Sequence, residues 1–323
     1  MTTPKLSVVV VTDHYRTIHR VVEQLRAQTV RSQIELVIVA AAGADLEVDP
    51  CAAADLAAVR VVEMSAIHPM SRARAAGVRA TTAPIIFLGE THSFPHPDFA
   101  AALIEAHRAP WDVVVPGIDN ANPDSPLSWA SFLLDYGYWL GSLPAGEISF
   151  GPTWNAGYKR EALLELDGKL ESVLQAGDAL TATFRADGRR IYFEPAARLD
   201  HANVARKAYW VDERYLTGLL TAADRRARWS IARRLLYIAG SPLIPVVLLA
   251  RLHRPVRLLM RQRRLPAGTI AALLVGTIVR TAGEVVGFAI GATARSEPRM
   301  EEYELHKLEY TGVRKGRRSD STP

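Results

Sequence analysis

A chain of 323 residues, 49% of them apolar, can bury a sizeable core, and its single cysteine, Cys51, excludes an intrachain disulfide or a multi-cysteine metal site. The net charge of +5 joins two unlike parts: residues 1–224 hold 20 Lys/Arg against 27 Asp/Glu, and residues 225–323 hold 19 against 7. Eleven arginines and no acid lie between Arg225 and Arg264, and they flank aliphatic runs, which favours anionic membrane lipids over nucleic acid as their partner.

The opening residues lack a signal-peptide pattern, because the apolar run Leu6–Val11 is short and ends at Asp13-His14-Tyr15-Arg16. The N-terminal part is therefore expected in the cytoplasm. Leu6–Thr12 reads as a buried strand, and Thr17–Gln28 as a helix with Ile18, Val21, Val22 and Leu25 on one face. Ile34–Ala40 and Val59–Val62 read as strands, Met70–Thr81 as a helix and Pro84–Leu88 as another strand. A helix over Pro97–Arg108 precedes strand Asp112–Val115, and Pro116–Pro126 reads as a loop. Ser128–Leu140 is expected to be helical and Glu147–Asn155 to be a shaped loop. Leu163–Leu170 and Ala179–Ala186 are expected helices, and Arg190–Phe193 is the last expected strand. Continuously apolar strands alternating with helices predict an α/β fold, a Rossmann-like, mainly parallel sheet covered on both faces.

The segment Ser71-Arg-Ala-Arg-Ala-Ala-Gly77, followed after seven residues by Ile85-Ile-Phe-Leu-Gly-Glu-Thr-His92, carries the chemical signal. Together with Ser7–Thr12, Ile34–Val39, Asn155-Ala-Gly-Tyr-Lys-Arg160 and Ala176-Gly-Asp-Ala-Leu180 it resembles the inverting family-two glycosyltransferases of GT-A fold. The resemblance covers about residues 5–203 as an ordered set of motifs. It implies transfer of a sugar from a nucleotide-diphosphate sugar to a cell-envelope glycan or lipid-linked acceptor. Three departures stand out. The base-contacting acid after the second strand is replaced by Ala40-Ala-Ala-Gly43, the Asp-x-Asp motif by Glu90-Thr91-His92, and the Glu-Asp pair by Gly177-Asp178. These losses leave open a second reading, a non-catalytic membrane-bound partner or scaffold protein.

A pyrophosphate leaving group needs positive charge beside its oxygens, which a divalent cation supplies. Oxygen and imidazole ligands suit Mn²⁺ or Mg²⁺, and Glu90 with His92 offers two on one side of an extended segment. Glu90-x-His92 resembles the Asp-x-His variant of other GT-A enzymes, which a distant histidine completes, and the resemblance makes His201 the candidate. From the resemblance, Asp178 takes the place of the general base and Arg74 faces the phosphates, with Glu90 on the donor side. Thr12, Asp13 and Tyr15, at the end of the first strand, are expected to contact base or ribose. Trp154 and Asn155 are expected to line the acceptor pocket, Trp154 by stacking on a sugar. Cys51 has no activating neighbour in sequence and is expected to be structural.

The C-terminal part contains the uncharged run Leu235–Ala250, too short for a comfortable membrane span, and the runs Ala267–Val279 and Val285–Ala294. Arg280 and Glu284, four apart, are expected to pair on one helical face. The sequence thus divides into a glycosyltransferase domain over 1–224, a helical membrane-associated region over 225–296, and a charged, disordered tail over 297–323. The protein is expected at the cytoplasmic face of the cell membrane, with self-association left open.

Overall fold

The computed structural model describes residues 3–46, 55–175, 177, 179–262 and 264–312. Among these, nine strands form one sheet. Four of them, β1 (Leu6–Val11), β2 (Ile34–Ala41), β3 (Ala58–Met64) and β4 (Ile85–Leu88), run parallel in the order β3-β2-β1-β4. Val8 of β1 faces Leu36 of β2 on one side and Phe87 of β4 on the other. All six β1 residues are buried, as a strand covered on both faces requires. Helix α1 (Tyr15–Arg26) turns Ile18, Val21, Val22 and Leu25 inward, as their spacing predicts.

Helix α2 (Met70–Ala80) crosses β1 and β2, and Gly77 sets how closely. A Cβ there would lie 2.5 Å from Val9 Cγ1 and 2.8 Å from Val39 Cγ2. The glycine of the Ser71–Gly77 segment therefore lets the helix sit directly on the strands. It also holds Arg74, one turn earlier, over the strand ends.

The sheet continues through shorter strands and their neighbours. They are β5 (Ser93–Pro95), α3 (Phe99–Ala106), β6 (Val113–Asn120), α4 (Pro126–Tyr136), β7 (Gly146–Ile148) and β8 (Ala156–Lys159). Helices α5 (Arg160–Leu164), α6 (Leu170–Val173) and α7 (Ala179–Ala186) precede the last strand, β9 (Ile191–His201). Antiparallel β8 sits between β4 and β6, so the sheet is parallel on its first half and mixed on its second.

Strands β6 and β9 run well past their expected ends. The expected loop at Pro116–Pro126 begins with strand, because β6 and β9 stay paired through a bulge between Pro116 and Gly117 up to Asn120 and His201. A bulge accepts a proline, whose missing N–H would break a regular ladder. His201 is accordingly the last residue of β9, not a residue beyond the final strand.

Beyond the sheet, α8 (Lys207–Arg228) continues through the expected boundary at 224/225 as one helix of 22 residues. Helices α9 (Ile231–Ala239), α10 (Ile244–Arg251), α11 (His253–Arg261) and α12 (Thr269–Ile290) follow. Helix α12 packs on α8 with almost no separation. A Cβ at Gly218 would meet Arg280 O at 2.0 Å, and one at Gly283 would meet Tyr215 O at 2.1 Å. Arg280 and Glu284 pair as expected, at 3.3 Å. Helix α12 is long and apolar enough to cross a membrane, yet 44% of its most apolar window is buried against the protein.

The expected disorder of 297–323 does not hold for its first part. Residues 296–305 form helix α13 (Ser296–Leu305), and a 3₁₀ turn follows at Lys307–Tyr310. Tyr303 and Leu305, buried at 3% and 2% exposure, fix this segment against the protein. Residues 313–323 and Cys51 lie outside the described residues.

Candidate active site

Three chain segments converge just past the end of β4. Glu90, Thr91 and His92 follow the strand, where open α/β sheets present ligands. Strand pairing sets Ser93 opposite His201, and Ala202 N–H donates to His92 O at 3.0 Å, so the two histidines lie side by side. The backbone N–H of Asn155 donates to Leu88 O at 2.7 Å, which brings the residue before β8 against the same strand end.

The side chains of Glu90, His92 and His201 are all buried, and one ligand atom from each lies within 4.8 Å of the others. His92 Nε2 and His201 Nε2 are 3.1 Å apart, and each is 3.4 Å from Glu90 Oε2. The hydrogen bonds on their far sides assign the protons. His201 Nδ1 is 3.0 Å from Asn203 Oδ1, an acceptor, so the proton is on Nδ1. Thr91 gives its one hydroxyl proton to the carbonyls of Glu304 or Leu305, at 3.1 and 3.0 Å, so toward His92 Nδ1, at 3.2 Å, it can only accept. With the protons so placed, both Nε2 atoms would turn their lone pairs toward the Glu90 carboxylate.

Burial and Lys307 hold the His92 imidazole well below its ordinary pKa, so it is neutral. Burial opposes ionisation of Glu90, but the positive charge of its surroundings, Lys307 included, holds its carboxyl well below the usual range. Three lone-pair donors at 3.1–3.4 Å repel one another unless a cation lies between them. Neighbouring ligands of an octahedral ion bound at about 2.1 Å lie about 3 Å apart, which this spacing fits. A donor set of one carboxylate and two imidazoles, each imidazole with an outer hydrogen bond, could hold a divalent cation.

Glu90 is further held by Asn155 Nδ2 at 2.5 Å, Tyr136 OH at 3.3 Å and Ser93 Oγ at 3.3 Å. Asn155 adopts φ of +58°, a left-handed conformation that asparagine tolerates better than most residues. Its Oδ1 is buried without a hydrogen-bond partner. Sequence reasoning missed Tyr136 and Asn203, which belong to no recognisable motif and arrive through helix packing and strand register, and it gave no role to Thr91, the middle residue of Glu90-Thr91-His92.

Arg74 lines a small cavity with Met70, Glu90, His92 and Glu304. Its guanidinium stacks on the Trp154 ring at 3.6 Å, so one face of the tryptophan is covered by the arginine. Burial lowers the Arg74 pKa, and Glu90, Glu304 and Glu301 oppose that change. Thr12 is buried at the end of β1, and its hydroxyl donates to His14 O at 2.9 Å, closing the turn into α1. Asp13 accepts from Thr17 at 3.4 Å and pairs with His306 at 2.8 Å. Tyr15 starts α1, its ring edge-on to His19. Thr12, Asp13 and Tyr15 thus line the end of the strand next to the one that leads to Glu90. Asp178 lies outside the described residues; its neighbour Gly177 accepts from Thr153 Oγ1 at 3.0 Å, which ties that turn to the loop carrying Trp154 and Asn155.

The C-terminal segment also reaches this place. Glu301 accepts from the Met70 N–H at 2.6 Å and contacts His68, and Glu304 lies 3.7 Å from His92 Nε2 and 2.9 Å from Lys307 Nζ. The sequence predicts a charged, disordered tail for these residues. The sequence signal was the pair Tyr303 and Leu305, apolar at alternate positions within a charged run.

A comparison with curated proteins finds no match. Similar solved structures include the mannosyltransferase PcManGT from Pyrobaculum calidifontis in complex with GDP-Man and Mn²⁺, at 17% identity and a TM-score of 0.52, covering 95% of this chain and 88% of that one. They also include S. aureus TarS 1-349, at 15% identity and a TM-score of 0.46, covering 90% of this chain and 93% of that one. The family profile described as Glycosyl transferase family 2 matches residues 7–167, from β1 through the segment after β8. With the expected motifs inside that match and a fold of the GT-A kind around them, the chain belongs to glycosyl transferase family 2.

Proposed function

We propose that the protein transfers a sugar, with inversion, from a nucleotide-diphosphate sugar to a cell-envelope glycan or lipid-linked acceptor. The observation that carries this reading is the convergence of Glu90 Oε2, His92 Nε2 and His201 Nε2 within 4.8 Å of one another, beside Arg74. These three residues would hold Mn²⁺ or Mg²⁺, which when bound supplies positive charge to the departing diphosphate. Arg74, stacked on Trp154, adds a fixed cation next to it. Asn155 and Tyr136 orient the Glu90 carboxylate by donating to it. Thr12, Asp13 and Tyr15 would receive the base and ribose, and the exposed edge of Trp154 the acceptor sugar. Asp178 would take the acceptor hydroxyl proton as that oxygen attacks the anomeric carbon.

The reading includes a place at the cytoplasmic face of the membrane. Helices α9 to α12 expose Leu235, Leu236, Leu243, Val246, Ile278 and Ile290 at 52–75%, beside the arginines of 225–264. Apolar side chains flanked by guanidinium groups suit the boundary between headgroups and acyl chains. Burial of the inner face of α12 supports a helix lying in that boundary over one crossing it.

A hydrolysis screen of UDP-, GDP- and TDP-sugars, with Mn²⁺ and with chelator, tests the proposal. Metal-dependent release of a nucleotide diphosphate is expected, and Asp178→Asn should lower transfer to acceptor by about 10²–10⁴-fold while leaving donor binding intact. Release that is indifferent to chelator would overturn it.

A further inference from the structure

The C-terminal segment 296–312 lies across the mouth of this site, and its contacts fall on the groups a donor would need. Helix α2 begins at Met70 behind Pro69, which offers no side-chain oxygen to the free amides of the first turn. Such an end attracts an anion, and here Glu301 is that anion, accepting from the Met70 N–H at 2.6 Å. Arg74, one turn along the same helix, shares its cavity with the second carboxylate, Glu304. His306 takes Asp13 at 2.8 Å, at the end of β1. Thr91, between two of the metal-binding residues, donates to the carbonyls of Glu304 and Leu305. What remains open to water among these groups is about 10 Å³, against the roughly 300–1,000 Å³ of a small-molecule pocket.

Two carboxylates at a helix N-terminus and an arginine occupy the setting of a diphosphate, and like charges forbid both from being there together. Resting on the donor-site reading above, we propose that segment 296–312 is an intramolecular plug of the donor site, with Glu301 and Glu304 standing in for the two phosphates, and that donor binding requires its displacement. The plug is short and charged. Its anchors are Tyr303, whose hydroxyl donates to Asp212 at 2.8 Å, and the backbone N–H groups of Ala205 and Arg206, which donate to Tyr310 O at 2.9 and 3.0 Å. The segment also follows directly on α12, whose outer face is apolar and exposed. A change in how α12 lies on a surface would therefore pull on the plug from its near end.

A site that is open only part of the time binds its ligand more weakly by that fraction. The test compares UDP and GDP affinity, in the presence of Mn²⁺, for the full chain and for the full-chain double variant Glu301→Gln/His306→Gln. The variant keeps side-chain size and the Tyr303 and Leu305 packing, and far-UV circular dichroism checks its fold. Hydrogen exchange of 296–310 in the unaltered chain, with and without saturating nucleotide, gives a second readout that needs no mutation. Expected are at least about tenfold tighter nucleotide binding by the variant and faster exchange of 296–310 when nucleotide is present. Equal or weaker binding by the variant, or slower exchange with nucleotide, would overturn the plug while keeping the donor site, since the segment would then be part of that site. Absence of nucleotide binding by both proteins would overturn the donor-site reading and the plug with it.

Discussion

Up to His201 the interior is filled by β-branched and aliphatic side chains of the strands and by single faces of short helices, with polar groups gathered at the strand ends. Beyond Lys207 the interior is built differently. Helices α8 and α12 meet backbone to backbone through Gly218, Gly283 and Gly287, and buried ions fill the gaps. Arg214, 1% exposed, donates to both oxygens of Asp135 at 2.8 and 2.7 Å and also pairs with Glu213. A periodic apolar core tolerates small changes at many places. A core of glycine contacts and paired ions depends on a few residues.

The largest stability effect should follow from removing one of those ions. Arg214→Met leaves Glu213, buried, and Asp135, half-buried, without their partner, and breaking a buried pair costs about 3–5 kcal/mol. Urea unfolding of the full chain measures it; a loss under 1 kcal/mol would show that water reaches the two carboxylates.

Glycine substitutions compare the two regions directly. At Gly283 a Cβ meets the backbone oxygen of Tyr215 at 2.1 Å, which cannot turn aside, so Gly283→Ala should cost about 3 kcal/mol. At Gly77 the obstacles are the methyl groups of Val9 and Val39, and Gly77→Ala should cost less, about 1–2 kcal/mol. Equal costs would mean that both cores yield alike.

The two regions should also respond to pH in opposite directions. Burial opposes ionisation of Glu35 in β2, but Ser7, Thr82 and Arg60 hold its carboxyl below the ordinary 4.5. Its contribution is present above that pH and is lost as pH falls through the folded value. His306 is partly buried, which disfavours its charge, yet Glu302 and Asp13 raise its pKa above 6.5. Its contribution is full below 6.5 and is lost as pH rises through the folded value. Hydrogen exchange should show 296–310 loosening as pH rises above 6.5 and through the folded value of His306, while β1 and β2 stay protected.

The same contrast explains what the sequence discloses. Leu6–Val11, Ile34–Ala41 and Met70–Ala80 announce themselves by period and composition, because each makes its burial pattern from its own residues. Glu90, His92 and His201 could be named for their ligand chemistry, although the extension of β9 that carries His201 depends on pairing with β5 and β6 across a bulge. Glu301, Glu304 and His306 look like surface charge in the sequence. Their half-buried placement at the site goes with Tyr303 and Leu305 docking on parts of the chain far away, which no local pattern records.

Calorimetric titration of Mn²⁺ into the full chain, and into its His92→Ala and His201→Ala variants, tests the metal centre most directly. The geometry predicts saturable binding by the unaltered protein and a loss of at least about tenfold in affinity in each variant, since each removes one of the three converging donors. Identical Mn²⁺ isotherms for the three proteins would contradict it.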